Sequence, residues 1–317
     1  MTDELTPRVS VIIPAYNVAP YLGEALASLA AQTMPDFEAI IIDDGSPDDI
    51  AAAAAPWLKD PRFRLIRTGN HGLAAARNRG VAEARADLIS LLDGDDRYKP
   101  DYLAAMCERI SAPDAPAFVT CDAVSFGNPS LDGEIFSSRY PQDEPITLER
   151  FLSRDVNIFG LSMIVKSTLL MVGGYDETLH SAEDLDFWLR LLATGAVGGL
   201  VRRTLVDYRR RHGSLSHNTV PLMRDTVTAF SKLIAALPDG PERALAQARR
   251  DSAQCFGDFE AGVDMALAGD VRSGLAKMRS SGLKSDKIQW RVAMAAMAML
   301  PALARPLLLH YRGPLTA

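Results

Sequence analysis

At 317 residues, 48% of them hydrophobic, the chain has ample apolar material for one large domain with an appendage or for two domains, which argues against disorder. Its three cysteines, Cys107, Cys121 and Cys255, stand far apart with no CxxC pair, so neither a zinc site nor a disulfide framework is expected, and scattered thiols suit a reducing compartment. The net charge of −6 conceals an asymmetry: residues 272–312 carry eight Lys and Arg against Asp286 alone, so a basic end follows an acidic body and favours an anionic surface as its partner.

The start, MTDELTPRVS, is acidic and lacks the charged-then-apolar pattern of a signal peptide, so a cytoplasmic location is expected. Residues 9–13 (VSVII) are a short β-branched run that reads as a buried strand stopped by Pro14. Pro20 opens a helix in which Leu22, Leu26 and Leu29 share one face. Residues 37–42 read as a second strand. It ends at Asp43-Asp44-Gly45-Ser46, with Ser46 the expected N-cap of a helix and Pro47 at its first position. A third strand at 63–67, a helix at 73–85 and a fourth strand at 88–92 follow. Near-continuous apolar strands separated by amphipathic helices specify an α/β domain with a mostly parallel sheet covered on both faces.

Residues 112–116 and 127–130 read as loops, and 158–165 as a buried strand leading to a helix capped by Ser167. Residues 219–237 and 241–269 read as two helices. The apolar stretch 292–309 is broken by Pro301, Arg305 and Pro306 and is too interrupted for a membrane span. Two expectations stand for it: a helix packed on the body, or a helix lying on a membrane interface beside the basic tail. No repeat of 20 to 50 residues is visible.

In parallel sheets, ligands bind beyond the carboxyl ends of the strands. That rule gathers three polar stretches on one rim: Pro14-Ala15-Tyr16-Asn17, Asp43-Asp44-Gly45-Ser46 and Asp93-Gly94-Asp95-Asp96. Each alone serves as a turn or a cap. Together they crowd carboxylates that repel one another unless a cation neutralises them, and hard oxygen ligands select Mg²⁺ or Mn²⁺. Further on, SAEDLDFWLR (181–190) opens a helix. Ser181 and Asp184 have the spacing of a capping box, and Asp186 is placed to pair with Arg190.

VSVIIPAYN, IIIDDGSPDD, NHGLAAARNRG and LLDGDDRYKP resemble, in this order and near these spacings, the blocks of the family-2 inverting glycosyltransferases of GT-A fold. The likeness runs to about Tyr102 and resumes at HSAEDLDFWLRL (180–191); beyond about Asn218 there is none. The resemblance implies a Rossmann-like GT-A domain at 1–218, with a nucleotide-binding half at about 1–110 and an acceptor half at about 111–218. A helical C-terminal region, 219–317, follows. It implies a nucleotide diphosphate sugar lying across the strand ends, with Pro14, Ala15, Tyr16 and Asn17 against the base. Asp44 would read that base, usually uracil, whose N3–H a carboxylate can accept. Arg77 is a phosphate or base neighbour by the same likeness, and a surface helix arginine by position alone.

Asp93, followed by Gly94, and Asp95 match the DxD pair. The likeness implies Asp95 as the better metal-ligand candidate, with Asp93 nearer the ribose and metal-bound water; Asp96 is left as a turn cap. Asp184 matches the base that takes the acceptor hydroxyl's proton in an inverting transfer. One departure stands out. Related enzymes often place a histidine two residues after a tyrosine-arginine pair, where it helps bind the metal. Here Tyr208-Arg209 is followed by Arg210, Arg211 and His212, so Arg211 takes the histidine's place and His212 falls one position late. A metal role for His212 and a diphosphate contact by the arginines both stand open.

The resemblance thus implies Mg²⁺ or Mn²⁺, a nucleotide sugar donor and a saccharide or lipid-linked saccharide acceptor, in surface polysaccharide, lipopolysaccharide or glycoconjugate synthesis. Peripheral membrane contact through the basic tail is expected, and a nucleic-acid partner is not. Two other classes stand beside it. One is a catalytically silent nucleotide-sugar-binding or scaffolding module. The other is a sugar nucleotidyltransferase, which needs a glycine-rich basic loop where this chain has PAYN.

Overall fold

The computed structural model describes residues 6–211, 218–283 and 287–312. Two compact units divide the chain, residues 1–211 and 212–317. In the first unit the strands are β1 (Val9–Ala15), β2 (Phe37–Asp44), β3 (Phe63–Thr68), β4 (Leu88–Leu91), β5 (Arg97–Tyr98), β6 (Phe118–Phe126), β7 (Met163–Val165) and β8 (Gly198–Arg209). They form one sheet in the order β3-β2-β1-β4-β7-β6-β8-β5. β3, β2, β1 and β4 are mutually parallel, as are β6 and β8, while β7 and β5 run antiparallel to their neighbours. The sheet is therefore mixed, with the expected parallel half at its N-terminal side. Its helices are α1 (Ala19–Ala30), α2 (Ile50–Ala54), α3 (Leu73–Glu83), α4 (Tyr102–Ile110), α5 (Phe136–Arg139), α6 (Leu148–Ser153), α7 (Lys166–Met171) and α8 (Glu183–Ala193).

The expected apolar face of α1 is the buried one, with Leu22, Ala25, Leu26 and Leu29 inside. Four local expectations need correction. Pro14 does not stop β1, which continues to Ala15. Ser46 is not the cap of α2; Asp49 is, accepting the Ala52 N–H at 2.9 Å. The strand expected over 158–165 shortens to Met163–Val165, and the helix after it opens at Lys166 with Val165, not Ser167, at the N-cap. Finally, α8 begins at Glu183 with Ala182 at its N-cap in a left-handed conformation (φ 56°), so the capping box from Ser181 does not form.

The second unit holds α9 (Thr219–Ala236), α10 (Pro241–Leu267), α11 (Val271–Ser280), α12 (Ile288–Met299) and α13 (Ala304–Arg312). The stretch expected as one C-terminal helix is two, parted at Leu300-Pro301. Phe259, Val263, Met278, Met294, Met297 and Leu308 form its core. No described helix is long and apolar enough to cross a membrane.

Candidate active site

Parallel register builds the rim. Ala15 lies opposite Asp43, and Ile12 lies opposite Leu91, with the Leu92 N–H donating to the Ile12 carbonyl at 3.0 Å. The PAYN and DGDD stretches are thereby neighbours. They approach so closely at Gly94 that a Cβ there would stand 2.9 Å from Val18 Cγ2 and 3.2 Å from the Pro14 carbonyl oxygen. Tyr16 is exposed at the rim. Asn17, at φ 55°, donates its N–H to Ser46 Oγ at 2.7 Å, and Asp48 accepts the Ala19 N–H at 2.7 Å. The loop after β2 thus serves to clamp the loop after β1.

Asp44 is buried. Its Oδ1 accepts the His71 N–H at 3.0 Å and its Oδ2 the Gly72 N–H at 2.8 Å, tying the end of β2 to the loop that opens α3. Oδ1 also accepts the Thr68 hydroxyl at 3.3 Å; a carboxylate oxygen carries two acceptor sites, so Oδ2 retains capacity for a further donor.

Arg77 is not a surface arginine: 4% of it is exposed. Its guanidinium meets Glu183 at 2.7 Å and Asp93 at 3.3 Å, and lies 5.4 Å from the centre of the Tyr175 ring. One buried cation therefore joins the first residue of α8 to the DGDD loop. Burial pushes the Glu183 carboxyl up to about 7, against the pull of Arg77 and with a further push from Asp184. The buried Arg77 Nε and Tyr175 hydroxyl have no hydrogen-bond partner among the described residues. Asp184 sits next to Glu183, half-buried, with Oδ1 accepting the Leu185 N–H at 2.7 Å. Asp186 faces away and pairs with Arg190 at 2.7 Å, as the spacing predicts.

The other two acids of the DGDD loop are held from β8. Asp96 is buried and accepts the Arg209 N–H at 2.7 Å, so it is an anchor between strands and not a mere turn cap. Burial first, then the charges of Asp93 and Asp95, raise its pKa well above the carboxylate range. Asp95 meets the Arg211 guanidinium at 2.5 Å, yet burial and the charge of Asp93 still raise its pKa. These are the energetics of a place that favours an added cation, and its donors are hard oxygens, so the residues fit Mg²⁺ or Mn²⁺. No three His, Cys, Asp or Glu side chains among the described residues form a ready-made metal cluster. His212 lies outside the described residues.

Two features of this site carry no local sequence signal: the partners of Arg77 and the ring of Tyr175 beside it. The Asp96–Arg209 anchor has a faint one, because DGDD is followed at once by a strand that must pair somewhere.

The assembled features define an acid-rich site at the strand ends of an α/β sheet, and comparison with known proteins shows the family that shares this fold. The model of the family described as Glycosyl transferase family 2 matches residues 10–164. An uncharacterized glycosyltransferase of Bacillus subtilis, EpsJ, is 44% identical over 108 residues, covering 34% of this chain and 30% of EpsJ. The Rhizobium meliloti succinoglycan biosynthesis protein ExoO is 33% identical over 222 residues, covering 66% and 63%. The uncharacterized B. subtilis glycosyltransferase YwdF is 31% identical over 188 residues, covering 58% of this chain and 67% of YwdF. The chain thus spans less than two thirds of EpsJ and ExoO.

Among solved structures, S. aureus TarS 1–349 in complex with UDP-GlcNAc gives a TM-score of 0.64 at 20% identity, covering 98% of this chain and 88% of that one. The mannosyltransferase PcManGT from Pyrobaculum calidifontis, in complex with GDP-Man and Mn²⁺, gives 0.62 at 20% identity, covering 95% and 87%. The fold is that of the GT-A glycosyltransferases. The chain belongs to glycosyl transferase family 2.

Proposed function

We propose that this protein is an inverting glycosyltransferase. It moves a sugar from a nucleotide diphosphate donor, uridine-linked by preference, to a hydroxyl of a saccharide or lipid-linked saccharide acceptor in surface or extracellular polysaccharide synthesis. The observation that carries the reading is the Arg77 bridge, which sets the first turn of α8 beside the DGDD loop. A leaving-group site and a base are needed within one sugar's reach of each other, and that bridge joins the elements bearing both candidates. Pro14 to Asn17 and Asp44 line the base end, with the Asp44 carboxylate accepting an imino N–H. Asp95 and the donor's own phosphate oxygens would hold Mg²⁺ or Mn²⁺, with Asp93 and Gly94 beside the ribose. When bound, such an ion offsets charge that builds on the departing diphosphate. Asp184 takes the proton of the attacking hydroxyl. ExoO, by its name, serves succinoglycan biosynthesis, which supports the polysaccharide assignment. The apolar and basic C-terminal helices support a peripheral place at the cytoplasmic face of the membrane.

The test is release of nucleoside diphosphate from uridine diphosphate sugars in Mn²⁺, with and without saccharide acceptors. Turnover is expected with at least one donor. In Asp184→Asn it should fall by about 10²- to 10⁴-fold at unchanged donor affinity, because asparagine keeps the shape and cannot take the proton. Donor binding without any turnover would instead identify a silent binding module.

A further inference from the structure

Arg211 stands two residues beyond the end of β8, and its side chain lies on the DGDD loop. Successive side chains of an extended chain leave on opposite faces. Arg209 and Arg211 accordingly share one side and Arg210 takes the other, its guanidinium 4.4 Å from the Tyr208 ring centre and 3.3 Å from Ser125 Oγ. Arg209 fixes the approach. Its N–H donates to Asp96 at 2.7 Å and its Nε to the Asp95 carbonyl at 2.8 Å, with its guanidinium 4.7 Å from the Tyr21 ring centre. Two residues later Arg211 reaches back over the same ring, at 5.6 Å, and its Nε donates to Asp95 Oδ2 at 2.5 Å. Both partners are largely shielded, with 21% and 15% of their side chains exposed.

Two consequences follow from charge alone. A guanidinium cannot be deprotonated near neutral pH, so it is a permanent cation at an oxygen that a divalent ion would use. A guanidinium and a metal ion at one carboxylate oxygen repel each other, and the partly shielded site strengthens that repulsion. A histidine there would add a ligand; the arginine adds a competitor. Guanidinium also pairs with phosphate oxygens as readily as with a carboxylate.

We propose that Arg211 is a resident cation of the donor site. It neutralises Asp95 before the donor arrives, yields that oxygen when a divalent ion enters, and then pairs with the donor's diphosphate. The first two steps concern the free protein; the third rests on the nucleotide-sugar reading above.

The experiment is Mn²⁺ binding to the free protein without nucleotide, followed by the electron paramagnetic resonance of unbound Mn²⁺. Arg211→Ala should bind Mn²⁺ about tenfold more tightly than the wild type, because a competing charge is gone. Arg211→Lys keeps the charge and should stay near the wild type. At Mn²⁺ saturating for both proteins, Arg211→Ala should also lose affinity for uridine diphosphate by about tenfold, the loss of one charge-assisted pair. Melting curves check the fold, and Arg211→Gln replaces the alanine variant if that one does not fold. Mn²⁺ affinity that is equal across the variants, weaker in Arg211→Ala, or absent from all of them overturns the proposal. A wild type that binds Mn²⁺ but no nucleotide overturns the donor reading and the third step, while the Mn²⁺ comparison still decides the first two.

Discussion

Arg77 carries one positive charge between Glu183 and Asp93, and it cannot neutralise both. That shortage explains why Glu183 titrates near 7 although an arginine lies 2.7 Å away: burial outweighs the half-shared cation, and Asp184 next door adds repulsion. The pKa is raised above the ordinary 4.5, so folding binds the proton. The stability Glu183 contributes is therefore fully present below pH 4.5 and is lost as pH rises through about 7. Glu183→Gln removes this titration. The melting temperature of the wild type should fall between pH 5 and 7 by a few degrees more than that of the variant, at matched ionic strength. Parallel curves would show that Glu183 stays ionised throughout. None of this was legible from the residue itself. In AAARNRG one arginine resembles the other, and what separates Arg77 from Arg79 is a pair of acids 106 and 16 residues away.

Between elements, what the sequence shows and what it hides follow one rule: local patterns place cores and not ends. The β-branched runs of β1 and β2 were plain because a strand buried on both faces is apolar throughout. Pro14 misled because its effect depends on a neighbour. The Ile12 carbonyl faces β4, so Pro14, two residues on, faces the same way, and β4 has ended at Leu91. No ladder bond is asked of the proline, and the strand runs through it. Helix α3 shows the same dependence. It crosses β1 at Gly80, where a Cβ would stand 2.2 Å from Ile12 Cγ2. Gly80→Ala therefore forces Ile12 or the helix to move. Overpacking of this kind costs about 1–3 kcal/mol, which outweighs the roughly 1 kcal/mol that alanine adds in helix propensity. Arg77 lies one turn earlier on the same helix. The variant should melt lower by several degrees and also lose turnover out of proportion to its folded fraction. Unchanged melting and turnover would mean that the crossing is loose.

At the scale of the whole molecule, the C-terminal unit has a packed face and an exposed face on the same helix. In α12, Met294 and Met297 enter the core with Leu308 of α13. Ile288, Val292 and Met299 lie along one stripe of the opposite face, 72%, 63% and 76% exposed. Lys287 and Arg291 of the same segment and Arg305 of α13 are exposed, and residues 287–312 contain no Asp or Glu. An apolar stripe beside cations and free of acids has the chemistry that binds an anionic membrane surface: on such a surface the stripe would enter the acyl boundary, and each cation would add about 1 kcal/mol near the headgroups. Deleting residues 272–317 would be a poor test, because it also removes Met278, Met294, Met297 and Leu308 from the core. Substituting Ile288, Val292 and Met299 together by Glu reaches only the exposed stripe. The wild type should sediment with vesicles of anionic phospholipid and not with phosphatidylcholine alone. The triple variant should bind the anionic vesicles more weakly by at least about tenfold, since it loses apolar burial and gains repulsion. Its melting temperature should stay within about 2 °C, as for surface substitutions away from the core. Equal sedimentation of both proteins would leave the stripe without a membrane role, and a wild-type dimer that the variant dissolves, seen by light scattering, would assign it to a second copy of the chain.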